Sequence, residues 1–131
     1  MGTMIAGRVL LLEDDDPIRE LMVEYLRDEG FDVTEARTGD QAMTLLVEPD
    51  RYDILMTDVR MPGRLDGVDV AEFVRRQYPD MPVLITSGYA AQLVGRIRAL
   101  GPPTVFINKP YDVNEVVEIL RRMTGQSRAL H

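Results

Sequence analysis

Five short runs rich in apolar and β-branched residues, Val9–Leu12, Val33–Ala36, Ile54–Thr57, Val83–Thr86 and Val105–Ile107, are separated by stretches in which apolar residues recur at helical spacing. Strands that read as continuous apolar runs are buried on both faces. Their regular alternation with helices predicts an α/β fold, in which helices cover both sides of a parallel sheet.

The helical stretches carry their own punctuation. Asp16 is placed to cap the first helix, Pro17 fits its first turn, Ile18, Leu21, Met22 and Tyr25 supply an i, i+3, i+4, i+7 stripe, and Gly30 closes it. Thr38 and Gln41 have capping-box spacing ahead of Ala42, Leu45 and Leu46, with Pro49 as the stop. Asp66 or Gly67 opens a third helix that buries Val70, Phe73 and Val74 and ends before Pro79. Leu93, Ile97 and Leu100 outline a shorter fourth. The fifth turns Val113, Val116, Val117 and Leu120 inward and shows Glu118 and Arg122 as an exposed i,i+4 pair. Residues 8–124 are expected to form one domain, with 1–7 as an N-terminal extension and 125–131 as a frayed tail.

Composition narrows the chemistry. With 131 residues there is room for one core. Fifteen basic against 22 acidic residues give a net charge of −7, and no stretch gathers Lys and Arg on one face, which argues against direct nucleic-acid binding. The absence of cysteine removes disulfides, thiolate metal sites and thiol nucleophiles. The single histidine is the last residue, His131, so an imidazole-based zinc or catalytic site is not expected. No apolar run is long enough to span a membrane and no signal-peptide pattern opens the chain, so a soluble cytoplasmic protein is expected. Lys109 is the only lysine, which marks it for a task that needs a compact ammonium.

In an open parallel sheet, ligands bind beyond the carboxyl ends of the strands. Four of the five runs end in polar groups: Glu13 to Asp16, Thr57 and Asp58, Thr86 and Ser87, and Asn108 and Lys109. Carboxylates brought together there would raise one another's pKa unless a divalent cation sat among them, and an oxygen-only donor set suits Mg²⁺ better than zinc or copper. A metal clamp beside Lys109 and Ser87 would neutralise the oxygens of a transferring phosphoryl group, with one carboxylate as nucleophile. Asp15 and Asp16 also fit a plainer role as first-turn acids that favour the helix dipole, and Phe106 that of an ordinary core residue.

Four segments together resemble the receiver domain of bacterial two-component response regulators: Val9-Leu-Leu-Leu-Glu-Asp-Asp-Asp-Pro-Ile-Arg19, Met56-Thr-Asp-Val-Arg-Met-Pro62, Pro82-Val-Leu-Ile-Thr-Ser-Gly88 and Phe106-Ile-Asn-Lys-Pro110. Each is weak alone, but their order and their placement at strand ends make the set specific. The resemblance spans Arg8 to Met123 and implies a (βα)5 doubly wound sheet of strand order 2-1-3-4-5 with flavodoxin-like topology. It implies that Asp58 is the phosphoacceptor, that Glu13 and Asp14 with Asp58 and the backbone carbonyl of Arg60 hold Mg²⁺, and that Lys109 contacts acceptor and phosphate. Ser87, followed by the small Gly88, matches the switch hydroxyl in preference to Thr86, and Phe106 matches the switch aromatic. Arg60 and Tyr89 occupy positions where the family varies and are expected to tune the lifetime of the phosphate. The loop Met61–Gly67 is one residue longer than the commonest family form.

The implied function is a signalling switch rather than an enzyme. It takes phosphate from a sensor histidine kinase or a histidine phosphotransfer protein, then engages a downstream protein through helix four, strand five and helix five, the same surface that would serve a homodimer. Taken as a protein of this length alone, it resembles stand-alone regulators of the chemotaxis type or the middle carriers of phosphorelays. Three rivals fit less well. An aspartate-nucleophile phosphohydrolase of the haloacid dehalogenase type would use Asp14 and Asp16, but needs an acidic motif after the lysine, where only Asp112, Glu115 and Glu118 follow. A flavodoxin-like nucleotide binder would want free amides where Glu13 to Asp16 stand. A pseudo-receiver would not need the acids, the acceptor and the lysine together.

Overall fold

Strands that carry apolar side chains on both faces can be buried only between two layers of helices, and the computed structural model has that arrangement. It describes residues 6–48, 51–61, 63–88 and 93–125. The order is β1 (Gly7–Leu12), α1 (Asp16–Asp28), β2 (Phe31–Ala36), α2 (Gly39–Leu45), β3 (Ile54–Asp58), α3 (Gly67–Gln77), β4 (Val83–Ser87), α4 (Val94–Leu100), β5 (Thr104–Asn108) and α5 (Val113–Met123). All five strands are parallel, in the order β2-β1-β3-β4-β5, as expected. The chain reverses its direction of progress across the sheet between β1 and β3, and the carboxyl ends of those strands border the crevice where such folds bind ligands.

Side-chain alternation divides the core in two. Leu10, Leu12, Leu55, Val83 and Ile85 pack with Val70, Val74, Ile97 and Leu100 on the α2, α3 and α4 side. Val9, Leu11, Met56 and Leu84 pack with Met22, Leu26, Val116 and Leu120 on the α1 and α5 side. Phe106 leans on the first group, whereas Val105 and Ile107 lean on the second.

The start of α1 differs from expectation. Its N-cap is Asp15, whose side chain accepts from the Ile18 N–H at 3.1 Å, while Asp16 is the first helical residue. The buried stripe is Arg19, Met22, Val23 and Leu26, one position round from the expected one; Ile18 and Leu21 are 42% and 69% exposed. Arg19 is buried because carboxylates neutralise it, so an apparently polar position belongs to the inward face. In α3, Asp66 is the N-cap and forms a capping box with Asp69, and Phe73 is half-buried, with Ala71 taking a place in the core. Thr38 caps α2 as expected, but the Gln41 side chain accepts from the Arg37 N–H rather than from its own cap residue. Glu118 and Arg122 are both exposed, with no ion pair between them. The expected stop at Pro49, the lifetime residue Tyr89 and most of the tail, residues 126–131, lie outside the described residues.

Candidate functional site

The sheet brings the expected residues to one edge. The carboxyl ends of β1, β3, β4 and β5 present Glu13, Asp58, Ser87 and Lys109, and the register sets Asp58 opposite Thr86 and Ser87 opposite Asn108. The Lys109 N–H donates to the Ser87 carbonyl at 2.8 Å, extending the β4–β5 ladder by one bond and fixing where the lysine side chain starts. From there the Lys109 Nζ donates to Asp58 Oδ2 at 2.7 Å and lies 3.9 Å from Glu13 Oε1. One ammonium therefore spans two carboxylates from different strands.

Asp58 is held from several directions. The Arg60 N–H approaches its Oδ1 at 3.4 Å, the Thr57 hydroxyl donates to its carbonyl at 2.8 Å, and its side chain is 13% exposed. The chain must pass close by as it enters α3. A Cβ on Gly67 would lie 1.8 Å from the Asp58 carbonyl oxygen and 2.6 Å from Thr57 Oγ1. Only glycine fits there, and the Gly67 N–H closes the loop by donating to the Val59 carbonyl.

The four acids that follow β1 have separate tasks. Asp15 caps α1. Asp16 Oδ1 accepts from Arg19 Nη2 at 2.7 Å, and both Asp16 oxygens accept from Arg37 Nη2 at 3.0 Å. Glu13 is 6% exposed, and its Oε2 accepts from the Asp15 N–H at 3.1 Å. Burial pushes the Glu13 carboxyl up, and the Asp58 charge adds to that against the opposing effects of the Asp15 N–H and Lys109. For Lys109, burial works against the charge, but the Asp58 hydrogen bond and the two carboxylates outweigh it and hold the ammonium above its usual range. Glu13 and Asp58 thus share one ammonium.

The structure brings Glu13, Asp58 and Lys109 together, and Ser87 ends β4 at the same end of the sheet. Asp14 is the exposed neighbour of Glu13, and Arg60 is exposed beside the acceptor loop. Ser87 and Thr86 are both buried, and Phe106 is half-buried one strand away. Thr86 was passed over in favour of Ser87, and Tyr111 and Arg19 escaped the sequence reading. Thr86 and Tyr111 line a void of about 10 Å³, close to the size of one water, with Glu13, Ile18 and Asp58. Arg19 binds the backbone of the acidic turn. The position of Tyr111, directly after Lys109-Pro110, was an available signal for the tyrosine.

A doubly wound parallel sheet that sets an acidic cluster and one lysine at the carboxyl ends of β1, β3 and β5 defines a signalling fold of the receiver type. Residues 9–121 match the response regulator receiver domain, and the chain belongs to that family. Receiver domains are signalling modules that accept a phosphoryl group. An NtrX-like protein of Rickettsia felis is 31% identical over 116 residues, which cover 87% of this chain and 24% of that protein. The sensor kinase CckA of Brucella abortus is 31% identical over 119 residues, 90% of this chain and 12% of the kinase. The chain therefore spans a quarter or less of these relatives. Among solved structures, the non-phosphorylated HemR receiver domain of Leptospira biflexa superimposes with a TM-score of 0.78 at 33% identity, covering 89% of this chain and 93% of that one. A response regulator receiver protein of Sinorhizobium medicae gives 0.80 at 27% identity, with 90% and 94% covered.

Proposed function

We propose that this chain is a phosphorylatable switch in which Asp58 accepts a phosphoryl group from a phosphohistidine. The observation that carries the reading is the position of the Lys109 Nζ, 2.7 Å from Asp58 Oδ2 and 3.9 Å from Glu13 Oε1, at the crevice between strand ends. Asp58 acts as nucleophile toward phosphorus, and Lys109 neutralises the charge that its own hydrogen bond already locates.

The donor set fits Mg²⁺. Among the described residues no three acidic or histidine side chains come close enough to hold a metal by themselves. Mg²⁺ does not require that, since it binds through one or two carboxylates and keeps several waters. Glu13, Asp14, Asp58 and the Arg60 carbonyl would hold it, in part through those waters, and when bound it supplies charge neutralisation at the phosphoryl oxygens. Burial raises the Glu13 pKa and the Asp58 charge adds to it, and a cation bound beside them would relieve both.

Ser87 at the end of β4 and Phe106 on β5 form the switch pair that couples the phosphate to the surface of α4, β5 and α5. That surface serves a downstream protein or a second copy. The phosphodonor is a sensor histidine kinase or a histidine phosphotransfer protein, and Arg60 with Tyr89 sets the lifetime of the acyl phosphate. Residues 8–124 are the receiver unit, which acts in the cytoplasm as a switch and not as an enzyme on other substrates. No helix of the described residues is long and apolar enough to cross a membrane. The test is borohydride trapping after incubation with acetyl phosphate and Mg²⁺. Reduction of the acyl phosphate converts the acceptor to homoserine, expected in the peptide that contains position 58; homoserine at another acid, or none, contradicts the assignment.

A further inference from the structure

We infer that Arg19 is a positioning residue for the divalent-cation site: its buried guanidinium fixes the turn from which Glu13 and Asp14 project. The inference rests on the proposed role of those two acids. Arg19 is 6% exposed, and each arm of its fork has a different acceptor. Nη1 donates to the Glu13 backbone carbonyl at 3.0 Å, Nη2 to Asp16 Oδ1 at 2.7 Å and Nε to Glu35 Oε1 at 3.1 Å. A planar guanidinium satisfied at three points is rigid, and so is whatever it holds.

What it holds is the peptide between the two acids. The Glu13 N–H donates to the Ala36 carbonyl at 3.0 Å, which anchors one side of Glu13 to β2. Its carbonyl, the other side, belongs to the peptide plane that leads into Asp14, and Arg19 anchors that plane. Since a peptide plane sets the direction of the Cα–Cβ bonds on either side, the Arg19 contact determines whether the two carboxylates converge. Asp16 could compete for a cation but is engaged by Arg19 and Arg37, and Asp15 is engaged as the helix cap. The same arginine therefore orients two acids and withholds a third.

Positioning and simple electrostatics predict opposite results. If Arg19 acted only as a positive charge near the site, its removal would leave Glu35 uncompensated and Asp16 with Arg37 alone, and would tighten cation binding, while lysine would change nothing. If it positions the turn, both substitutions loosen binding, because lysine cannot span three acceptors. Calorimetric titration of the full chain with MgCl₂ distinguishes these, with melting in EDTA on the same samples as a control for folding. We expect Arg19→Met to weaken Mg²⁺ binding by about 10–100-fold, the range for residues that orient metal ligands, and Arg19→Lys to fall between it and wild type. Excess Mg²⁺ should bring phosphorylation by acetyl phosphate back to near the wild-type maximal rate. Wild-type affinity in Arg19→Lys with tighter binding in Arg19→Met overturns the inference and leaves the proposed function standing. Should Arg19→Met not fold, wild-type affinity in Arg19→Lys alone overturns it. No Mg²⁺ uptake by wild type overturns the proposed function and this inference together.

Discussion

The two ends of the sheet use charge in opposite ways. At the amino end, Arg8 and Asp53 form a closed pair: the Arg8 N–H donates to Asp53 Oδ2 at 2.8 Å, Nη2 to Oδ1 at 3.2 Å, and the Asp53 N–H returns a bond to the Arg8 carbonyl at 2.7 Å. Nearby, Arg75 donates to the Pro79 and Met81 carbonyls and to Thr104 Oγ1, tying α3 to the approaches of β4 and β5. Arg8 and Asp53 balance each other, whereas Arg75 is held by neutral oxygens alone. At the carboxyl end, Glu13 and Asp58 share Lys109, and Asp14 stands exposed beside Glu13. Matched charge fastens the chain; unmatched charge is a place for a cation and a phosphoryl group.

The largest way to break this contrast is to remove the ammonium that joins Glu13 and Asp58. Lys109→Met should slow phosphorylation by acetyl phosphate about 10²–10³-fold, the cost of losing one preorganised donor to developing charge, as read by intact mass against time. Next comes the close approach behind Asp58. Gly67→Ala must push a Cβ away from a backbone oxygen 1.8 Å distant, and should cost about 3 kcal/mol in denaturant unfolding. Filling the site should act in the other direction. Mg²⁺ at about 100 times its Kd should stabilise wild type by about 2.7 kcal/mol and Asp14→Ala by much less, as seen in thermal melts.

A smaller effect sharpens the comparison through its sign. Burial, with the Asp58 charge added, holds the Glu13 carboxyl above its unfolded value of about 4.3, so its contribution to metal-free stability is full below that pH and is lost as pH rises through the folded pKa. Burial also works against the charge on Asp53, but the Arg8 hydrogen bonds and charge outweigh it and leave the carboxyl low. Its contribution is therefore present above about pH 3.9 and is lost as pH falls through the depressed folded pKa. In EDTA, Glu13→Gln should flatten the decline of stability just above pH 4.3, and Asp53→Asn the decline below pH 3.9. At neutral pH the half-exposed Arg8–Asp53 pair should be worth about 1 kcal/mol or less.

β1, β3 and β4 were legible because burial on both faces writes them as apolar runs, and the meeting of Glu13, Asp58 and Lys109 because polar residues follow the strand ends. The α1 face was not, since periodicity counts Arg19 as polar and cannot see Glu35, sixteen residues away, come round to neutralise it. Arg96 is a second case: it joins α4 to Asp69 and Glu72 of α3, a link between helices that no local spacing announces. Gly67 reads only as a helix start until the loop brings Asp58 against it. In each instance the missing information is a contact between elements distant in the chain.

The central claim is that the unmatched acids at the carboxyl end receive a cation and a phosphoryl group. Intact mass after incubation with acetyl phosphate, with and without Mg²⁺, tests it on wild type and Asp58→Ala. The account predicts a gain of one phosphoryl group in wild type that requires Mg²⁺ and is absent in the variant. A gain without Mg²⁺, or an equal gain in Asp58→Ala, would contradict it.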